Sequence, residues 1–314
     1  MQNSLNPKMG NQDVLIGGIW ALGAASTHSL VAIAVRLLDH LPAIELVFFR
    51  NALGLMIFLS IVSWRGFWFI QTKRIGIHLV RNFANFFGMW LWFAGLALLP
   101  LAKAIALHFT VPLIVVVLAV IFLKERPGPV RLVCTIIGFF GVLIILRPGL
   151  VPISAAAFLV LGSALSYAAV AIFTRSLGYT EHPTTTTFYY QSTLTIISGL
   201  SILLVFLIST ANPDMETNLE WFNWVTPLAK DIPILVLLAV TGTVAPYCMI
   251  RAYVHAEATI VQPIEYLRLP LTALIAYWVF SQTTDLWVWI GAFIIVGSTL
   301  YLTQHETKKK NLRN

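Results

Sequence analysis

Residues 22–38 read LGAASTHSLVAIAVRLL, and residues 161–177 read LGSALSYAAVAIFTRSL. At an offset of 139 the two segments agree at eight of 17 positions, including Gly23/Gly162, the VAI triplets and Arg36/Arg175. Apolar composition produces some chance identity, but it does not align a glycine and an arginine. Two further marks recur: IGFF from Ile137 against IGAF from Ile290, and Pro112-Leu113 against Pro270-Leu271, each in the middle of an apolar run. The chain therefore reads as two copies of one unit.

Composition says where these copies reside. The chain is 58% hydrophobic and 11% charged, with a mean hydropathy of +0.84. A soluble domain is about 45–50% apolar and about 25% charged. So much apolar surface cannot be hidden in one soluble core of this length. A soluble enzyme, a disordered chain and a fibre are excluded, and a polytopic membrane protein remains. Ten apolar runs follow one another at roughly 14–38, 43–63, 77–98, 102–123, 130–147, 153–174, 184–209, 232–254, 258–280 and 286–303, each near the ~20 residues a helix needs to cross a bilayer. The first is too long for a signal-peptide core and is read as a retained span. Five spans per copy is an odd number, so the second copy enters the membrane from the opposite side. The expected fold is an all-α membrane protein of ten transmembrane helices, arranged as two inverted five-helix repeats around a central cavity.

The charges give the orientation. Net charge is +7, which in a soluble protein would suggest nucleic acid. Here the cations sort by side. With the N-terminus inside, 13 Lys and Arg fall on inner segments and four on outer ones, while Arg50, Arg81 and Arg268 lie within spans. Both termini are expected in the cytoplasm of an inner membrane, facing anionic lipid, with no nucleic-acid partner. The expected divisions are a cytoplasmic tail (1–13), a first repeat (14–149), a second repeat (150–303) and a basic tail (304–314). Residues 210–231 are acidic and aromatic, an interfacial loop with Trp221 and Trp224 at headgroup level. Cys134 and Cys248 sit in apolar runs and form neither a disulfide framework nor a metal pattern. Gly138/Gly141 and Gly291/Gly297 read as close helix packing.

Several strings carry a resemblance. LAKAIALHFTVPLIVVVLAVIFLKERP (101–127) with GFFGVLIILRPG (138–149), RAYVHAEATIVQPIEYLRLPLTALIAYWVF (251–280), ELVFFRN (45–51) and LVRNFANFFGMWLWFAGLALLP (79–100) resemble EamA-type transporters of the drug/metabolite transporter superfamily. Within it the FFR and FFGM segments are similar to carriers of S-adenosylmethionine and of amino-acid metabolites. The resemblance covers about 14–303 and implies ten helices, a central cavity, no cofactor and no ATP hydrolysis. One departure stands out. The family often closes spans four and nine with Glu; here Glu125 is present, but the second place reads SQTTD, with Asp285 displaced.

Ionisable side chains inside hydrocarbon cost about 2.5–3.5 kcal/mol each on insertion scales, so they face a cavity or a partner. Arg268 lies deep in span nine and Arg50 deep in span two; Arg81, one turn in, is placed to snorkel to the interface. Glu265 precedes Arg268 by three residues and reaches it on a continuous helix. One reading gives Arg268 and Arg50 the anionic group of a zwitterionic solute, and Glu265 its amine or a proton. The other is a neutral ion pair that stiffens the helix, with Arg50 paired to Glu45. Pro112, Pro263 and Pro270 break spans at matching places, a pointer to a transport site or simply kinks. His108, one turn before Pro112, corresponds to Tyr266, and a proton could ride on His108 or Glu265. Trp20, Thr27 and His28 form a stripe on span one whose mates on span six are Ser166 and Tyr167. Asn85 and Trp92 share an inward face of span three. Gln262, Tyr247, Tyr189, Tyr190 and Gln191 complete the candidates. The expected solute is a small polar metabolite moved by alternating access. The rivals are a membrane-embedded enzyme, for which no HExxH, GxSxG or P-loop pattern is found, and a non-transporting sensor or scaffold.

Overall fold

The computed structural model describes residues 11–66, 68–99, 101–146, 155–211, 224–281 and 286–311. The interfacial Trp221, Asp285, the division at 149/150 and most of the N-terminal tail lie outside them. The described chain is helical, with no strand among the described residues: α1 (Asn11–Leu37), α2 (Ala43–Val62), α3 (Ile75–Leu98), α4 (Leu101–His108), α5 (Val111–Leu118), α6 (Pro129–Leu146), α7 (Ala155–Gly178), α8 (Pro183–Ala211), α9 (Ile232–His255), α10 (Ala258–Ile264), α11 (Arg268–Phe280) and α12 (Leu286–Asn311). Prolines open α6 and α8, and Pro42 precedes α2, where a missing N–H costs nothing. Seven of these helices are long and apolar enough to cross a membrane. Their outward faces carry large apolar side chains, such as Phe293 (81% exposed), Ile61 (69%) and Phe158 (66%). A lipid-facing surface looks like this, and a water-facing one does not.

The pairing of helices reveals the pseudo-symmetry. α1 packs on α9, and α3 packs on α7. Under the repeat, α1 exchanges with α7 and α3 with α9, so these two contacts are one contact seen twice. Among the other pairs, α2 with α8 and α6 with α12 each join an element to its own mate, and α5 with α10 joins the two interrupted segments to each other, as expected on a two-fold axis. α6 begins where α12 ends, since Arg131 bonds Glu306, so mates run antiparallel and the repeats are inverted. On the axis Gly141 and Gly291 face each other: a Cβ at 141 would lie 3.0 Å from the Gly291 carbonyl oxygen. Gly138 accepts the Tyr266 ring in the same way. Gly297, expected at a close approach, has nothing within 4 Å of a Cβ; it lies beyond the crossing point.

The segments expected as spans four and nine are broken. α4 gives way to α5 at Phe109–Thr110, and α5 widens into a π turn over Ala119–Leu123. α10 and α11 are joined by a 3₁₀ turn over Glu265–Leu267. Each span then stops on a left-handed residue, Lys124 (φ 55°) and Ser281 (φ 51°), so both repeats terminate this span alike.

Candidate functional site

Prolines set the breaks. Pro112 occupies the first turn of α5, Pro263 lies in α10, and Pro270 lies in the first turn of α11. Each lacks a backbone donor and loosens the ladder behind it. His108, the last residue of α4, and its mate Tyr266, in the 3₁₀ turn, therefore sit at equivalent interruptions.

At the second interruption the Glu265 carboxylate stands 3.5 Å from Nδ1 of His28 on α1. The Ser29 hydroxyl donates to the Arg268 backbone oxygen at 3.1 Å, tying α1 to the broken span. Glu265 and Arg268 do not form the ion pair expected of i and i+3 neighbours. Glu265 belongs to the turn and Arg268 opens the next helix, so the register of one continuous helix does not carry across. No carboxylate lies within ion-pair distance of Arg268 among the described residues. Both Glu265 and Arg268 are half-buried, open enough to meet a solute.

The first interruption supplies aromatic surface. The His108 ring lies 4.6 Å from Trp92 and 5.1 Å from Tyr167, centroid to centroid. Three elements, α3, α4 and α7, thus converge on one half-buried cluster.

Arg50 reaches from α2 to α8. Its Nη2 donates to the Tyr190 hydroxyl at 3.1 Å, and its stem lies against Gly242 on α9, where a Cβ would sit 2.6 Å from Cδ. It does not pair with Glu45, whose Oε1 instead accepts from the Val225 backbone N–H at 2.5 Å. Arg81 does not snorkel. It is 2% exposed, and its guanidinium lies 5.3 Å from the centre of the Tyr190 ring, because α8 covers the route to the interface. Gln262 is buried and accepts from Tyr253 at 2.7 Å, a helix-to-helix bond rather than an open contact. Tyr247 packs edge-on against Trp20 at 6.1 Å, and Trp20 in turn carries Arg251 over its ring at 5.1 Å. Asn85 is half-buried on α3 with no hydrogen bond among the described residues. Tyr189 is structural: it stacks on His78 at 4.7 Å and donates to the Ile70 carbonyl at 2.7 Å. Gln191 donates to Thr243 at 2.6 Å. Ala24, Ala25, Ser163 and Ala164 are fully buried, as small packing residues should be.

One constellation escaped the sequence. Where both chain ends emerge, Arg131 is held between Glu257 and Glu306 and also donates to Thr259. Beside it, the Glu125 carboxylate accepts from the backbone N–H groups of Ala258 at 2.9 Å and Thr259 at 3.1 Å, capping α10. Arg175 stands 3.7 Å from Glu125 and donates to the Tyr253 carbonyl. In the sequence Arg131 reads only as a topology-setting cation, Arg175 as that and as a mark of the repeat, and Glu306 as tail. The family acid Glu125 was the one available signal. This cluster closes the terminus-bearing end of the bundle. No group of three or more metal-binding side chains occurs among the described residues.

The comparisons agree with this architecture. The EamA-like transporter family profile matches residues 15–147 and 154–304. A riboflavin transporter of Rhizobium johnstonii is 29% identical, over 94% of this chain and 93% of that protein. An S-adenosylmethionine uptake transporter of Rickettsia prowazekii is 27% identical, over 96% of each. A protein of known crystal structure superimposes with a TM-score of 0.75, covering 96% of this chain and 99% of its own at 15% identity, which supports the fold alone.

Proposed function

This chain belongs to the EamA-like transporter family, and from that premise we propose that it is a secondary carrier moving a small polar, zwitterionic metabolite by alternating access. As a multi-pass membrane protein it makes ten crossings in this reading. Its repeats occupy 14–149 and 150–303, and both termini are in the cytoplasm of an inner membrane. It carries out no chemistry on its solute.

The observation that carries the reading is the pair of interrupted spans at repeat-related positions, with ionisable side chains at the second. Broken helices that expose polar groups near the bilayer midplane are where carriers hold solutes. Arg268, without an ion-pair partner among the described residues, meets the carboxylate. Glu265 and His28 meet the amine, and the same pair, or His108, carries a coupling proton. Trp92, His108 and Tyr167 offer a stacking wall, with Tyr247 and Asn85 at its margins. Arg50 contributes from α2. Gln262, with Pro112, Pro263 and Pro270, shapes the breaks rather than touching the solute.

Counterflow in proteoliposomes, with amino acids, S-adenosylmethionine and riboflavin as trial solutes, tests the activity with and without a pH gradient. Once a solute is found, Arg268→Ala and Glu265→Gln should each abolish its exchange at equal protein level. Unimpaired exchange in both variants would remove the site assignment. Turnover of a solute into product in detergent, without a gradient, would favour an enzyme.

A further inference from the structure

Arg50 and Arg81 approach the same residue from two sides. Arg50 donates to the Tyr190 hydroxyl, and Arg81 lies over the Tyr190 ring. A guanidinium is a donor at five N–H positions and an acceptor at none. Arg81 is 2% exposed, and its Nε and Nη1 have no partner among the described residues; nor has Arg50 Nε. One turn before Arg81, His78 is fully buried, and neither of its ring nitrogens finds a partner.

Nearby carboxylates do not balance these cations. Glu45 accepts from Val225 through one oxygen and Glu265 stands beside His28, each with its other oxygen unpartnered, and neither lies within ion-pair distance of Arg50 or Arg81 among the described residues. Glu125, Glu257 and Glu306 belong to the terminus-bearing end. Leaving a buried cation without an anion costs several kcal/mol, and a tyrosine ring returns only about 2 kcal/mol of that even when desolvated. A donor-only cluster of this kind is complementary to an oxyanion, which accepts from several N–H groups at once in charge-assisted bonds.

We infer that Arg50, Arg81 and Tyr190 form an anion subsite that receives an acidic group of the solute, a carboxylate or a phosphate, in addition to the one met at Arg268. The solute class is thereby acidic rather than net neutral. The inference rests on the carrier reading only for what delivers the anion; the subsite itself is a property of the chain. Gly242 is part of its construction, because the Arg50 stem occupies the space a side chain would fill.

The test is thermal unfolding of the full-length protein in neutral detergent. It is titrated with sodium phosphate or sodium malonate against sodium chloride at matched ionic strength. The wild type should be stabilised by the oxyanions beyond chloride. The half-saturating concentration should rise at least tenfold in Arg50→Gln and Arg81→Gln, partly recover in Arg50→Lys, and stay put in Arg36→Gln, which removes an exposed cation outside the site. Phosphate acting alone assigns a phosphoryl group; both acting assigns a carboxylate. No stabilisation beyond chloride, or an equal effect in Arg50→Gln, overturns the proposal. Should Arg81→Gln fail to fold, Tyr190→Phe replaces it and should weaken the oxyanion effect as well. Oxyanion binding without counterflow of any solute would sink the carrier reading and leave the subsite. Counterflow indifferent to Arg50 would do the reverse.

Discussion

Replacing Arg131 with methionine removes the cation that joins α6 to the α9–α10 turn and to the end of α12. Its side chain is 9% exposed, against 20% for Glu257 and 4% for Glu306. The loss is therefore not the weak surface kind, worth about 0–1 kcal/mol. Glu306 would lose this cation while staying buried, and removing one partner of a buried pair costs about 3–5 kcal/mol. Glu257 is less enclosed and regains some hydration, so most of the penalty falls on Glu306. The triple variant Arg131→Met, Glu257→Leu, Glu306→Leu removes the stranded charges as well, and should recover most of the loss, because a buried ion cluster replaced by apolar side chains is often neutral or better. Reversible unfolding in mixed micelles at graded SDS measures both, and the intermediate variants give the coupling energies directly. A loss below about 1 kcal/mol for Arg131→Met would place the cluster in the surface class and refute the reasoning. So would a triple variant no more stable than the single one.

The glycine pair separates packing from open space. Gly291→Ala should destabilise by about 1–3 kcal/mol, the cost of overpacking, since its Cβ would meet the Gly141 oxygen at 2.6 Å, whereas Gly297→Ala should gain about 0.5–1 kcal/mol from helix propensity; equal effects in the same unfolding assay would contradict the axis contact. Glu125→Ala strips two backbone donors of α10 of their acceptor, and at about 1.5–3 kcal/mol per charged hydrogen bond it should cost more than Glu125→Gln, which keeps one acceptor oxygen. Burial and the nearby Arg251 hold the His182 ring below the usual histidine value. Its contribution to stability is thus fully present above about pH 6.5, the unfolded value, and is lost as pH falls toward the folded one. His182→Asn should flatten the stability–pH slope in that window, and an unchanged slope would assign the acid sensitivity elsewhere.

The repeat, the membrane-spanning class and the broken fourth and ninth spans were legible because each leaves a local mark: matched Gly and Arg, long apolar runs, mid-run prolines. Partner choice was not legible in the same way. Spacing places Glu265 beside Arg268, yet the 3₁₀ turn hands the carboxylate to His28, 237 positions earlier. Depth along a span placed Arg81 near the interface, but the tyrosine that covers it comes from α8. The charges at the terminus-bearing end looked like loop residues because their partners lie 126 and 175 positions away in sequence. Periodicity carries no information at such range.

That end cluster has no counterpart under the repeat. At the offsets that align Pro112 with Pro270 and Ile137 with Ile290, the places matching Glu125, Glu257, Arg131 and Glu306 hold Thr283, Leu99, Thr284 and Ile153. Only Arg175 keeps its mate, Arg36, and Arg36 is exposed where Arg175 is buried. A mirrored carrier with identical halves would rest equally in either access state. In the proposed cycle the terminus-bearing end is held by clustered arginines and carboxylates, and the opposite end, among the described residues, by the single His40–Asp231 pair at 3.0 Å, so the two access states are expected to differ in energy. Salt should ease the first end more than the second, which would give that cycle a preferred idling position.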